Sequence, residues 1–168
     1  MMATTVTNDM TPEEVAGALW DMLVLPYGEE SVLERLNTCS QQDLSVLKLE
    51  LLALRIYAVD WAARQVFGDS PARAAIMVNL MQTIRERNRD NPNFEGVPEA
   101  LSSRIADFRK LESVGDGDSE LFCQDVGAGF AEACCGGPNR EAAAAGSAVF
   151  ETTSTNVSDL LCDVRLVA

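Results

Sequence analysis

The stretch from Gln41 to Phe67 limits what this chain can fold into more than any other. Leu44, Val46, Leu47, Leu49, Leu51, Leu52, Leu54 and Ile56 spread around most of the circumference of a helix instead of forming one stripe. A helix that is apolar all round has to be enclosed by other helices or by lipid. Lipid does not fit, because Lys48, Glu50, Arg55, Asp60 and Arg64 interrupt the run well before it could span a bilayer. The rest of the chain must therefore wrap it. The expected fold class is all-α: a single-domain bundle of six to seven helices around a central helix at about 41–67, with antiparallel helical hairpins. A chain of 168 residues is long enough to bury such a core without disulfides or metals.

The flanking segments supply the wrapping helices. Thr11-Pro12-Glu13-Glu14 combines a threonine cap, proline in the first turn and carboxylates at the positive end of the dipole. Val15, Leu19, Met22 and Leu23 follow at helical spacing, and Pro26-Tyr27-Gly28 stops them. A short helix at about 30–38 presents Val32, Leu33 and Leu36. After the central helix, Gly68 is a stop and Ser70-Pro71 a new start, so the helix at about 71–88 should fold back as a hairpin. Its expected buried face is Ala74, Met77, Val78, Met81 and Ile84, and Arg85, Arg87 and Arg89 complement its C-terminal end.

A loop is expected at 88–97, then a helix at about 98–111 burying Leu101, Ile105 and Phe108. Gly115-Asp116-Gly117-Asp118-Ser119 reads as a linker within a loop near 112–119. The next helix spans about 119–135 and ends at Gly136-Gly137-Pro138. Asn139 caps a last helix with Val149, Val157, Leu160, Leu161 and Val164 as apolar positions. Thr152-Thr153-Ser154-Thr155-Asn156 is a poor helix former, which marks a place for that helix to bend or break. Residues 1–10 read as a flexible N-terminus, 11–168 as one all-helical domain, and no period-two stretch argues for a sheet.

The net charge of −13 is unevenly placed. Residues 1–47 hold one basic and eight acidic side chains, residues 48–110 ten and eight, and residues 111–168 two and ten. A field of that sign repels phosphate backbones and anionic lipid, so neither nucleic acid nor a membrane is expected as a partner. The opening MMATTVTNDM has no basic or apolar leader character. Cys39, Cys123, Cys134, Cys135 and Cys162 form an odd set without CxxC spacing. Free thiols and a cytoplasmic location are the expectation.

Chemistry is narrowed mostly by exclusion. There is no histidine, hence no histidine-based nucleophile and no imidazole metal site, and no glycine-rich nucleotide loop. Cys123, Gly127, Phe130 and Cys134 share one helix face, where cysteine acts as a small hydrophobe. Asp116, Asp118 and Glu120 alternate as in a calcium loop, but Leu121 and Gly127 stand where glycine and glutamate are required. Asp159 and Asp163, one turn apart, are weak evidence for a metal. No metal and no cofactor are expected.

One pattern stands out. Glu50, Tyr57 and Arg64 are seven residues apart and form a polar line on the central helix, with Asp60 beside it and four residues before Arg64. Such groups must satisfy one another or face a cavity, since unpaired charge in a core is costly. Two functions follow. The first is a non-enzymatic interaction or regulatory protein acting through helix–helix contacts, as a homo-oligomer or with a protein partner. The small-residue faces Gly127/Ala131 and Ala142–Gly146 support it. The second is a small-molecule-binding bundle or modest hydrolase around Glu50, Tyr57, Asp60 and Arg64, which requires a cavity of about 300 Å³ or more touching that line.

Overall fold

The structure, a computed structural model, describes residues 7–24, 29–39, 43–112 and 119–167. The turn expected at Pro26-Tyr27-Gly28, the helix start expected at Gln41 and the linker expected at 115–118 lie outside the described residues.

The elements are β1 (Asn8–Met10), α1 (Pro12–Val24), α2 (Glu29–Cys39), α3 (Leu44–Phe67), α4 (Pro71–Arg87), a 3₁₀ turn (Pro92–Phe94), α5 (Val97–Leu111), α6 (Ser119–Cys135), α7 (Arg140–Cys162) and β2 (Val164–Leu166). The protein is an all-α bundle, and α3 is its spine. That helix touches every other helix. From Glu50 to Arg64 it has no solvent-exposed residue, and Ala53, Leu54, Ile56, Tyr57, Ala58, Val59, Ala62 and Ala63 are completely enclosed.

Local chemistry sets the helix ends. Thr11 and Glu14 form a reciprocal capping box: the Glu14 amide donates to the Thr11 hydroxyl at 3.3 Å, and the Thr11 amide donates to the Glu14 carboxylate at 2.8 Å. Ser70 accepts from the Arg73 amide and Asn139 from the Ala142 amide, capping α4 and α7. Gly68 ends α3 with φ +62°, a conformation that costs a glycine nothing sterically.

α6 and α7 pack as an antiparallel hairpin in which two glycines carry the contact. A Cβ on Gly127 would lie 2.1 Å from the Ser147 hydroxyl and 2.3 Å from the Ala143 carbonyl, and one on Gly146 would lie 2.6 Å from the Phe130 ring. The small-residue faces that suggested a second subunit are thus used inside the fold.

Four sequence expectations change. α4 packs chiefly on α1 rather than along α3. Its buried residues are Ile76, Leu80 and Ile84, whereas Ala74 is exposed and Val78 is 66% exposed. Arg73 explains the rotation: it shares a face with Ile76 and Leu80, and it reaches inward to Asp60. α7 runs unbroken through Thr152–Asn156, because Phe150, Ser154 and Val157 are buried and the Ser154 hydroxyl donates to the Glu151 carbonyl at 3.1 Å. Tertiary burial outweighs the few tenths of a kcal/mol per residue of poor propensity.

The third and fourth changes are linked. Val164 belongs to β2 instead of the last helix, and residues 8–10 are a strand instead of a loose end. β1 and β2 pair in parallel, Asn8 opposite Val164, Asp9 opposite Arg165 and Met10 opposite Leu166. Arg165 clasps Asp9 with two bonds of 2.7 Å. Three-residue strands are too short to leave a readable period-two pattern.

Candidate functional site

Asp60 is the centre of the polar line, and its carboxylate is fully buried. Oδ1 accepts from Arg73 Nε at 3.1 Å and Nη2 at 2.6 Å. Oδ2 accepts from Arg109 Nε at 3.0 Å and Nη2 at 2.8 Å, and from Arg64 Nη2 at 3.3 Å. One carboxylate therefore joins α3, the start of α4 and the end of α5. The three guanidiniums are balanced by two further carboxylates: Arg73 also binds Asp69 at 2.8 Å, and Arg64 also binds Glu112.

Tyr57 closes the network from the core side. Its hydroxyl donates to Glu112 at 2.8 Å. Its ring stacks on Phe108 with centroids 5.3 Å apart and on Phe150 at 5.7 Å. Burial first, then the bond to Glu112, pushes the Tyr57 phenol well above the ordinary tyrosine range. Burial works against the Arg64 cation, but the hydrogen bond and charge of Glu112 outweigh it and hold its pKa above the usual value. A neutral phenol and a fixed guanidinium at neutral pH are structural partners rather than proton carriers.

Glu50 stands apart from the other three. It pairs with Arg104 Nε at 2.8 Å, and Arg104 also binds Asp107 at 2.8 Å and lies 5.6 Å from the Phe108 ring centroid. So Tyr57 and Arg64 meet at Glu112 and Arg64 links them to Asp60, while Glu50 belongs to a second ion pair about two turns back along α5. The i,i+4 pair Asp60–Arg64 was visible in the sequence. Arg73, Arg104, Arg109 and Glu112 were not, since nothing local shows which side chain of α4 or α5 faces α3.

Open space lies elsewhere: a cleft of about 710 Å³ between α6 and the start of α7, with Asp125, Glu132 and Arg140 on its wall, and two further clefts flanking α7. One cleft, of about 490 Å³ and partly open to solvent, is bounded by α1 (Met22, Leu23), α2 (Val32, Arg35), α3 (Arg55) and a stripe of α7 from Ala144 to Val157. The other, of about 580 Å³, has Trp61 and Phe150 at its base and Glu120, Glu151 and Asp159 at its edge. Neither is lined by Glu50, Tyr57, Asp60 or Arg64.

Among the described residues no three histidine, cysteine, aspartate or glutamate side chains gather as a metal site, and no helix is long and apolar enough to cross a membrane. Cys134 is buried on the α6 core face and Cys162 is exposed. Burial and the nearby Glu151 charge raise the Cys123 thiol above its usual pKa, which lowers its thiolate fraction. The Cys39 side chain lies outside the described residues. The large exposed hydrophobics Val24, Leu44, Val78 and Leu121 belong to four different helices. Compared with known proteins, the chain matches no family model, no curated protein and no solved structure.

Proposed function

We propose that this protein is a non-catalytic binding protein whose site is the cleft between α1, α2, α3 and α7. The observation that carries this reading is the contrast between the Asp60 network and the cleft lined by Arg35 and Arg55. Around Asp60 the carboxylates and guanidiniums are paired with one another, Arg64 Nε being the one buried side-chain nitrogen or oxygen without a partner among the described residues. Along α7 there is a cavity of about 490 Å³ with a mostly apolar wall and a few polar side chains. That combination of volume and lining is the usual form of a small-molecule site.

The reading moves the ligand site off the Glu50–Arg64 line and gives that line a structural role. It also takes one ground from the helix–helix interaction reading, since the approaches at Gly127 and Gly146 are filled by Ser147 and Phe130 of the same chain.

Ala148 lines the cleft and is exposed, so a bulky residue there fills the space without entering the core. Nile red, a neutral apolar dye, should bind the folded protein with enhanced emission, and Ala148→Trp should weaken that binding at least tenfold while leaving the melting temperature unchanged. Equal dye binding by the two proteins, or none by the wild type, refutes the assignment.

A further inference from the structure

We propose that the cleft takes a single-chain organic acid, an unbranched alkyl chain ending in a carboxylate, with Arg35 and Arg55 holding the acid head. The inference rests on the cleft being the binding site.

The cleft sorts charge by sign. The chain has 26 acidic and 13 basic side chains, yet among the described lining residues of this cleft the charged ones are Arg35 and Arg55, with no carboxylate. The sorting happens helix by helix. On α2, Ser31, Val32 and Arg35 face the cleft, while Glu30 and Glu34 are exposed and do not line it. On α7, the alanines, Val149, Thr152, Thr153 and Asn156 face it, while Glu151 and Asp159 line the cleft on the other side. Among the described lining residues an anion meets no like charge, and a cation does.

The two arginines suit a carboxylate in kind as well as in sign. A guanidinium presents five N–H donors in a planar fork, so it can hold a ligand carboxylate alongside a protein acceptor. Arg55 is already placed by such an acceptor: its Nη1 donates to the Leu23 carbonyl at 3.2 Å, at the C-terminal end of α1. Local charge decides over the net charge of the chain, because exposed charges beyond about 8 Å are screened at physiological salt. The same net charge works against docking on an anionic bilayer, so the ligand is a free acid and not a membrane lipid.

The rest of the wall asks for a tail. Met22, Leu23, Val32, Val149 and Val157 are apolar. The α7 stripe from residue 144 to 157 extends about 20 Å at 1.5 Å per residue, which suits an elongated chain better than a compact ring.

The test compares three ligands with one tail and different heads: decanoate, decanol and decyltrimethylammonium. Each is titrated against the full chain by Nile red displacement and by calorimetry, with the wild type, Arg35→Gln, Arg55→Gln and Ala148→Trp. Decanoate should bind about ten- to a hundredfold more tightly than decanol, the range for a hydrogen bond to a charged group. Octanoate should be about fifteenfold weaker than decanoate for its two missing methylenes. Arg35→Gln should remove most of the head-group preference with only a small change in melting temperature, because pairs made by an exposed side chain are weak. Arg35 is exposed, so that variant keeps the test decisive even if Arg55→Gln unsettles the end of α1.

Equal binding of decanoate and decanol, both blocked by Ala148→Trp, overturns the acid head and leaves the cleft as the site. Tighter binding of the ammonium ligand does the same. Dye binding with no displacement by any of the three overturns the alkyl-acid class alone. Co-sedimentation with phosphatidylglycerol vesicles in the absence of decanoate binding overturns the free acid. Failure of the dye itself removes the cleft and the acid together.

Discussion

Asp60→Asn is the sharpest test of how this bundle is held. The substitution keeps the size of the side chain and removes its charge. In the wild type the two oxygens accept five N–H bonds from three guanidiniums, two on Oδ1 and three on Oδ2. An asparagine retains one acceptor oxygen, so at least two of the five bonds are lost, and an NH₂ group is turned toward cations. Arg73 and Arg109 lose their closest anion and Arg64 loses its more distant one, so Arg64 keeps Glu112 and Arg73 keeps Asp69. Arg109 is 48% exposed and can turn to water, whereas Arg73 at 17% largely cannot. Removing one partner of a buried ion pair costs about 3–5 kcal/mol. With the discount for Arg109, about 3 kcal/mol is expected here, a large fraction of the roughly 5–15 kcal/mol that holds a typical domain together.

The assay is urea unfolding followed by helical circular dichroism, with the slope unchanged and the midpoint shifted. A domain of this size should lose about 6–12 °C in melting temperature. Arg109→Gln alone should cost about 1 kcal/mol or less, because half-exposed pairs are weak. The double variant should be less damaging than the sum of the two, since deleting Arg109 relieves the excess positive charge left by Asp60→Asn. A change within about 0.5 kcal/mol for Asp60→Asn, typical of an ordinary surface site, would refute the junction. Strict additivity would refute the coupling.

Three further outcomes follow from the same geometry. Gly127→Ala should destabilise by about 1–3 kcal/mol in a urea titration despite alanine's better helix propensity, and Ser147→Ala should not rescue it, because the Ala143 carbonyl also lies in the way. Tyr57 has a raised folded-state pKa, so its contribution to stability is full below about pH 10, where the unfolded phenol titrates, and is lost as pH rises beyond that. In a Tyr27→Phe background the tyrosinate absorbance should therefore appear together with unfolding, and a reversible phenol titration near the ordinary value with helicity intact would disprove it. In a thiol assay Cys162 should react fastest of the four cysteines in α6 and α7 and Cys134 only on unfolding, with Cys123 slowed by burial and by Glu151; prompt labelling of Cys134 in the native protein would contradict the packing of α6.

The parts of this fold that were legible in the sequence are those decided within one or two turns of chain. Thr11, Ser70 and Asn139 each announce a helix start, and each accepts the capping bond expected of it. The spine was legible because a helix apolar on all sides has no other place to go. What escaped was set by partners distant in sequence. The rotation of α4 follows from Arg73 reaching Asp60, and a moderately apolar helix offers several faces of nearly equal hydrophobicity, so the ion pair breaks the tie. The Thr152–Asn156 stretch stays helical because its neighbours are buried, which no window of propensity contains. Gly127 and Gly146 were read correctly as sites of close approach, but composition cannot tell an approach within one chain from an approach between two.

The polar line illustrates the same limit for function. A charged residue on a buried helix signals that partners exist and says nothing about whether they are ligands or arginines. Here the partners are Arg73, Arg109 and Arg104, contributed by helices that are themselves rich in basic residues, the one region of the chain with a positive balance. That regional balance has a physical meaning only in three dimensions: the basic middle of the chain neutralises the acidic groups of the spine. With the charges of Glu50 and Asp60 matched inside the fold, it is at the α7 cleft lined by Arg35 and Arg55, rather than along Glu50 to Arg64, that the binding reading has to stand or fall.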